Sequence, residues 1–183
     1  MLTHKGTQTI RTERLVLRRF CTEDAQAMFD NWASDDEVSK YLTWPTHTDL
    51  TISQWVVNDW VLSYDKEDSY HWAIEFEGQA IGSISVVGKD DDVKKAHIGY
   101  CIGRNWWRKG IMSEALKAVM DYLFDEVGMN RIEACYDPNN PNSGRVMAKC
   151  GMKYEGTHRQ SGRNNQGICD EAFYGLLKSD RIL

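Results

Sequence analysis

Apolar and polar residues alternate from Thr12 to Phe20, and the branched run Leu15-Val16-Leu17-Arg18-Arg19-Phe20 predicts a first strand. Thr22 then stands where a helix cap is expected, ahead of an acidic first turn and a helix from Glu23 to about Ala33. A further helical turn is expected near Asp35 to Tyr41, before Pro45. Leu50 to Tyr64 carries the 3.6-residue period, with Ile52, Trp55, Val56 and Trp60 as its expected apolar face. The period falls to two in His71 to Phe76 and Gln79 to Val87, which the Glu77-Gly78 turn joins as a hairpin. The charged stretch Lys89 to Lys95 reads as a loop, and Ala96 to Ile102 as a third strand of that sheet. Ala115, Leu116, Val119, Leu123 and Val127 then recur at helical spacing between Ser113 and Gly128. A strand over Arg131 to Tyr136 follows, then a short helix from Ser143 to Cys150 that Gly151 stops. The polar segment Thr157 to Gly167 reads as a loop between two last strands, near Met152 to Tyr154 and Glu171 to Leu177. This order of elements predicts one α/β or α+β domain over residues 1–183, built on a mixed sheet.

Composition narrows the class. Hydrophobic residues make up 42% and charged residues 27%, which suits a soluble globular chain. No apolar run approaches the roughly 20 residues of a membrane span, and Met1 to Gly6 has no apolar stretch behind its charge, so neither a membrane partner nor a secretory signal is expected. A net charge of −5 argues against a general grip on nucleic acid. The five cysteines form no C-x-x-C pair and suit a reducing cytoplasm; Cys101 and Cys135 read as small core residues. His4, His47, His71, His97 and His158 are scattered, so no metal is expected. Neither G-x-x-x-x-G-K-S/T nor G-x-G-x-x-G occurs.

The densest chemistry lies in Arg104-Asn105-Trp106-Trp107-Arg108-Lys109-Gly110-Ile111-Met112-Ser113-Glu114-Ala115-Leu116, where a strand hands over to a helix. A helix start turns several unpaired N–H groups outward and carries the positive end of the dipole, which suits a diphosphate. Gly110 permits close backbone approach and Arg108 and Lys109 add charge. An ordinary strand-to-helix turn with solvated basic residues fits this segment alone equally well.

Taken together, four segments resemble the GNAT superfamily of N-acetyltransferases, and within it the branch that acetylates ribosomal-protein N-termini (the Rim type). They are Ile10 to Arg18, Ile98-Gly99-Tyr100-Cys101-Ile102, Trp107-Arg108-Lys109-Gly110-Ile111-Met112, and Asp137-Pro138-Asn139-Asn140-Pro141-Asn142-Ser143 followed by Val146, Lys149, Gly151 and Met152. The resemblance implies a mixed, mostly antiparallel central sheet flanked by helices, with splayed central strands. It implies acetyl-CoA as cosubstrate, held by Tyr100, Cys101 and Ile102 along the pantetheine arm, by Arg108, Lys109, Gly110, Ile111, Met112 and Ser113 at the phosphates, and by Asn140. It further implies an amine acceptor, a protein N-terminus in this branch, with a small amine or a silent acyl-CoA-binding module as alternatives, and either a monomer or a homodimer.

The chain departs from the family pattern at Trp107, Met112 and Met152, and Met147 stands where many members carry a proton-donating tyrosine. The acid role then passes to Ser143, to water or to no group, although Ser143 equally suits a helix cap. His97 or Asp170 is the expected base, working through water. Glu114 is expected to support its helix start and Glu133 to pair within the sheet. Tyr41 and Trp44, beside Pro45, are the expected acceptor rim, while Trp55 and Trp60 are expected in the core.

Overall fold

The computed structural model describes residues 2–181. Strands β1 (Ile10–Arg11) and β2 (Leu15–Arg18) pair antiparallel, and β2 continues into β3 (His71–Phe76) and β4 (Gln79–Asp90). Glu77 and Gly78 both take positive φ, the backbone of a two-residue hairpin turn whose twist matches the strands. β4 then pairs with β5 (Lys95–Ile102). β6 (Arg131–Tyr136), β8 (Gly167–Leu177) and β7 (Lys153–Asn164) complete an eight-stranded sheet in the order β1-β2-β3-β4-β5-β6-β8-β7. Among the described residues only β5 and β6 run parallel, so the sheet is mixed and mostly antiparallel.

Of two polar stretches expected as loops, one keeps only a short turn between strand ends and the other is largely strand. Lys89, Asp90 and Lys95 belong to the β4–β5 ladder, with a tight turn over 91–94 that the Asp90 carboxylate caps by accepting from Asp92 and Val93. Residues 157–164 extend β7, and the true turn is Asn165-Gln166. Both stretches are solvated on both faces, so no hydrophobic alternation marks them as strands.

The helices hold three corrections. Thr22 caps nothing: the first turn of α1 (Asp24–Met28) is fixed by Asp24, which accepts from the Cys21 N–H at 2.8 Å and from Arg18 at 2.7 and 2.9 Å. α1 widens into a π-helical turn over Phe29–Ala33, and Asp35 caps the short α2 (Asp36–Ser39). In α3 (Leu50–Ser63) the fully buried residues are Ser53 and Val57; Trp55, two residues from each and so on the far side of the helix, is 71% exposed. The third correction is α5 (Pro141–Lys149), which starts two residues before Ser143 because Pro141 suits a first helical position.

α4 (Ile111–Tyr122) and the turn Leu123–Val127 bury Ala115, Leu116, Val119, Leu123 and Val127 against one face of the sheet, where Leu17, Trp72, Ile74, Ile84 and Ile98 point. The other face, through Ala73 and Ala80, receives Phe20, Met28, Trp32 and Val57 from the α1–α3 layer. This two-sided burial fixes the strand register, because a slip of one residue would exchange the two faces.

Candidate active site

The site begins where β5 and β6 part. Their ladder lasts three residue pairs, Lys95↔Arg131, Ala96↔Ile132 and His97↔Glu133, and beyond it Ile98 to Ile102 have no partner strand on that side. The far end of this edge is held by Trp107, whose indole N–H donates to the Ile102 carbonyl at 2.9 Å. Trp107, a departure from the family pattern, thus anchors the loop to the strand. Arg108 and Gly110 both take positive φ, 62° and 76°, and turn the chain into α4. The first helical bond runs from Glu114 N–H to the Gly110 carbonyl, so the N–H groups of Ile111, Met112 and Ser113 precede the ladder and face the loop. The Ile111 and Met112 side chains are buried, which leaves their backbone as their contribution. A Cβ on Gly110 would lie 3.6 Å from Arg14 Nη2 and 3.8 Å from Lys149 Nζ, so two cations flank the bare backbone. Arg108 and Lys109 are exposed beside them. Outward N–H groups, a missing side chain and convergent cations are a donor set suited to a diphosphate.

Glu114 locks this loop to the N-terminal segment. Its carboxylate accepts from Thr12 Oγ1 at 2.6 Å, the Arg14 N–H at 3.0 Å and Arg14 Nε at 2.7 Å, while Arg14 Nη1 donates to the Lys109 carbonyl at 3.1 Å. Burial alone would raise the Glu114 carboxyl, but the bonds from Thr12 and Arg14 outweigh it and hold the pKa below its usual value. A pKa lower in the folded state gives stability that is present above the unfolded value and lost as pH falls through the folded one. Glu114→Gln is expected to cost roughly 1.5–3 kcal/mol at neutral pH, the range for hydrogen bonds to a charged group. The gap in urea midpoint between the variant and the parent should shrink as pH falls below about 4.5. A gap independent of pH would contradict the assignment.

A cavity of about 940 Å³ runs from this loop across the parted strands to the α2–α3 segment. Tyr100, Asn140 and Ser143 line it. Ser143 sits in the first turn of α5 but caps nothing; its Oγ lies 3.1 Å from the Tyr100 hydroxyl, which also donates to the Ser143 carbonyl at 3.1 Å. Met147 is buried in the core and does not border the cavity.

His97 borders the cavity at the last paired position, with Nδ1 3.5 Å from Glu133 Oε1 and Nε2 3.6 Å from Cys135 Sγ. Glu133 also pairs with Arg131 and Lys95. Burial would raise the Glu133 carboxyl, but Arg131 and Lys95 outweigh it and hold the pKa low. Asp170 is not in the cavity wall. It accepts from the Gln160 N–H at 2.8 Å and holds a bulge of β7, because strand alternation turns Cys169 and Glu171, not Asp170, toward the cavity. Cys101 and Cys135, expected in the core, are only part-buried and border the cavity. Burial raises both thiols, and with Glu171 beside it pushes Cys135 up to about 12, so neither is a thiolate nucleophile at neutral pH.

Tyr41 and Trp44 line the opposite wall. Trp60 joins them, packed on His71 with ring centroids 3.9 Å apart; burial lowers His71 to about 3, so its ring is neutral. One tie beside the cavity escapes sequence reasoning. Asn165, at the tip of the β7–β8 hairpin, donates through Nδ2 to the carbonyls of Ser39 and Trp44, both at 2.8 Å, and through its backbone to Leu42 at 3.2 Å. Behind the tip, buried Asn164 donates to Asp137 at 2.7 Å. Asn165 therefore clasps the hairpin to the segment that carries Tyr41 and Trp44.

Comparison with known proteins places this arrangement. The sequence matches the acetyltransferase (GNAT) domain family over residues 14–153. It is 32% identical over 176 residues to the uncharacterized N-acetyltransferase p20 of Bacillus licheniformis, covering 94% of this chain and 98% of that one. It is 29% identical over 153 residues to the ribosomal protein uS5-alanine N-acetyltransferase of Escherichia coli, covering 79% and 78%. The fold superposes on RimL, a ribosomal L7/L12 α-N-protein acetyltransferase solved in complex with coenzyme A, with a TM-score of 0.85 at 20% identity, covering 95% of this chain and 100% of that one. An open strand edge, a helix start bare at Gly110 and a cavity between them thus belong to a chain that is a member of the GNAT family of N-acetyltransferases.

Proposed function

We propose that this enzyme transfers the acetyl group of acetyl-CoA directly to the α-amine of a protein or peptide. The observation that carries the reading is the continuity of one cavity from the flanked helix start at Gly110, along the free edge of β5, to the aromatic wall at Tyr41 and Trp44. The backbone of Tyr100, Cys101 and Ile102 holds the pantetheine arm as a third strand would, with the Asn140 amide opposite. The loop of Arg108, Lys109, Gly110, Ile111, Met112 and Ser113 holds the diphosphate, with Arg14 and Lys149 supplying charge. Acetyl-CoA brings an acyl thioester already activated for attack. The chain orients the amine, removes its proton and meets the leaving sulfur. The amine nitrogen forms the new bond to the acyl carbon as the carbon–sulfur bond breaks. The nitrogen's proton passes to His97, directly or through water, and Ser143 donates to the sulfur, its own proton being restored from solvent. Glu171, which borders the cavity, stands in for Asp170 as the alternative base to His97. The raised thiols favour direct transfer over an acyl-cysteine intermediate.

The protein acceptor is supported by the activity named for the uS5-alanine relative. The five free cysteines fit the cytoplasm, where such acceptors are made. The Asn165 clasp, which ties the hairpin to the segment carrying Tyr41 and Trp44, favours a second reading, a small primary amine held at that wall. The two separate on a peptide that carries both a free N-terminus and an internal lysine. Fragmentation mass spectrometry should find the acetyl group on the α-amine. Acetylation of small amines alone would move the enzyme to the second reading, and acetylation of the lysine would defeat the first. Under either reading Asn165→Ala loosens one wall only. It is expected to change the acceptor KM several-fold and leave the acetyl-CoA KM within about 2-fold; equal changes in both would contradict the clasp's place at the acceptor end.

A further inference from the structure

We propose that Tyr100 is a positioning residue that aims the Ser143 hydroxyl at the leaving sulfur. The inference rests on the reading of Ser143 as the acid and adds the group that makes it one. Two distances carry it: the Tyr100 hydroxyl is 3.1 Å from the Ser143 carbonyl oxygen and 3.1 Å from Ser143 Oγ. A phenol has one hydrogen, and the carbonyl can only accept. The Tyr100 hydrogen points to Ser143, whose carbonyl oxygen and Oγ both lie within reach; either hydroxyl can donate across the Oγ contact, and the arrangement proposed is the one in which Tyr100 does. A serine hydroxyl left alone rotates among several rotamers and, in a first helical turn, competes for backbone groups. With Tyr100 donating on one side, a lone pair of Oγ is occupied and the Ser143 hydrogen is free to point into the cavity that both residues line. The pairing also ties α5 to β5 across the gap that opens once the β5–β6 ladder ends, so the serine is fixed relative to the strand edge along which the thioester lies. Met147 supplies no hydroxyl from the next turn of α5, and Tyr100 brings one from the strand instead. Burial raises the phenol, so Tyr100 stays protonated and keeps its hydrogen for the bond to Ser143.

The test is a double-mutant cycle on the full chain with saturating acceptor. Tyr100→Phe removes one oxygen and keeps the ring, and its melting temperature and CoA affinity, read by calorimetry, report whether fold and cofactor groove survive. In the parent enzyme it should lower kcat about 10-fold with the acetyl-CoA KM within about 2-fold. In a Ser143→Ala background the same change should lower kcat by less than about 2-fold, because the group it serves is gone. Equal losses in both backgrounds, or no loss in the parent, would overturn the proposal. A Ser143→Ala enzyme at full rate would remove the acid reading itself, and this inference with it. A slow Ser143→Ala enzyme beside a full-rate Tyr100→Phe enzyme would remove this inference alone.

Discussion

Gly82→Ala is expected to lower the melting temperature by about 6–12 °C and to raise the acetyl-CoA KM. Gly82 lies in β4 opposite Ile102. A Cβ there would fall 2.4 Å from the Cys101 carbonyl oxygen and 2.8 Å from the Ile102 Cα. Both atoms are backbone, so no side-chain rotation relieves the clash, and β5 must move. Overpacking of this kind costs roughly 3 kcal/mol, and in a chain of this size each kcal/mol is worth about 2–4 °C. The displaced residues are those proposed to hold the pantetheine arm, which couples the stability loss to cofactor binding. Gly88→Ala, in the same strand, is the control: its nearest neighbour is the His97 Cβ at 3.7 Å, an ordinary contact. Thermal unfolding of the two variants should differ by most of the predicted shift. Two equal, small shifts would show that β5 does not pack against Gly82 as described.

His97→Gln should lower kcat about 100-fold, within the range for loss of a general base. The imidazole lies at the point where β5 leaves β6, held between Glu133 and Cys135. Glutamine keeps the size and hydrogen-bonding capacity but accepts no proton at neutral pH. The variant then depends on amine that is already deprotonated, so its rate should climb with pH toward the α-amine pKa near 8. The parent profile should have a different shape. Profiles of the same shape, differing only in height, would assign His97 a structural role and pass the proton to water.

Much of this was legible in the sequence, for reasons that differ by element. The 3.6-residue period of α4 was readable because that helix buries one face fully. The hairpin at Glu77-Gly78 was readable because it demands positive φ. The loop at Gly110 stood out because a glycine beside basic residues between a strand and a helix is chemically conspicuous. The extension of β7 over 157–164 was not legible, since nearly all of it is solvated and nothing in its composition separates strand from loop. Trp55 misled because an aromatic residue at near-helical spacing looks buried whichever face is covered. Asp170 stood one residue from the cavity-facing Glu171, an offset that strand alternation turns into opposite faces. The Asn165 clasp joins residues more than 120 positions apart and leaves no local signal at all.

The most direct test follows free-thiol release from acetyl-CoA with and without an acceptor, using short peptides that begin with Ala, Ser, Thr or Met beside polyamines and aminoglycosides. Release that requires an added amine and is fastest with one peptide N-terminus is the predicted result. No amine-dependent release, despite tight binding of CoA, would contradict it and leave an acyl-CoA-binding module in its place.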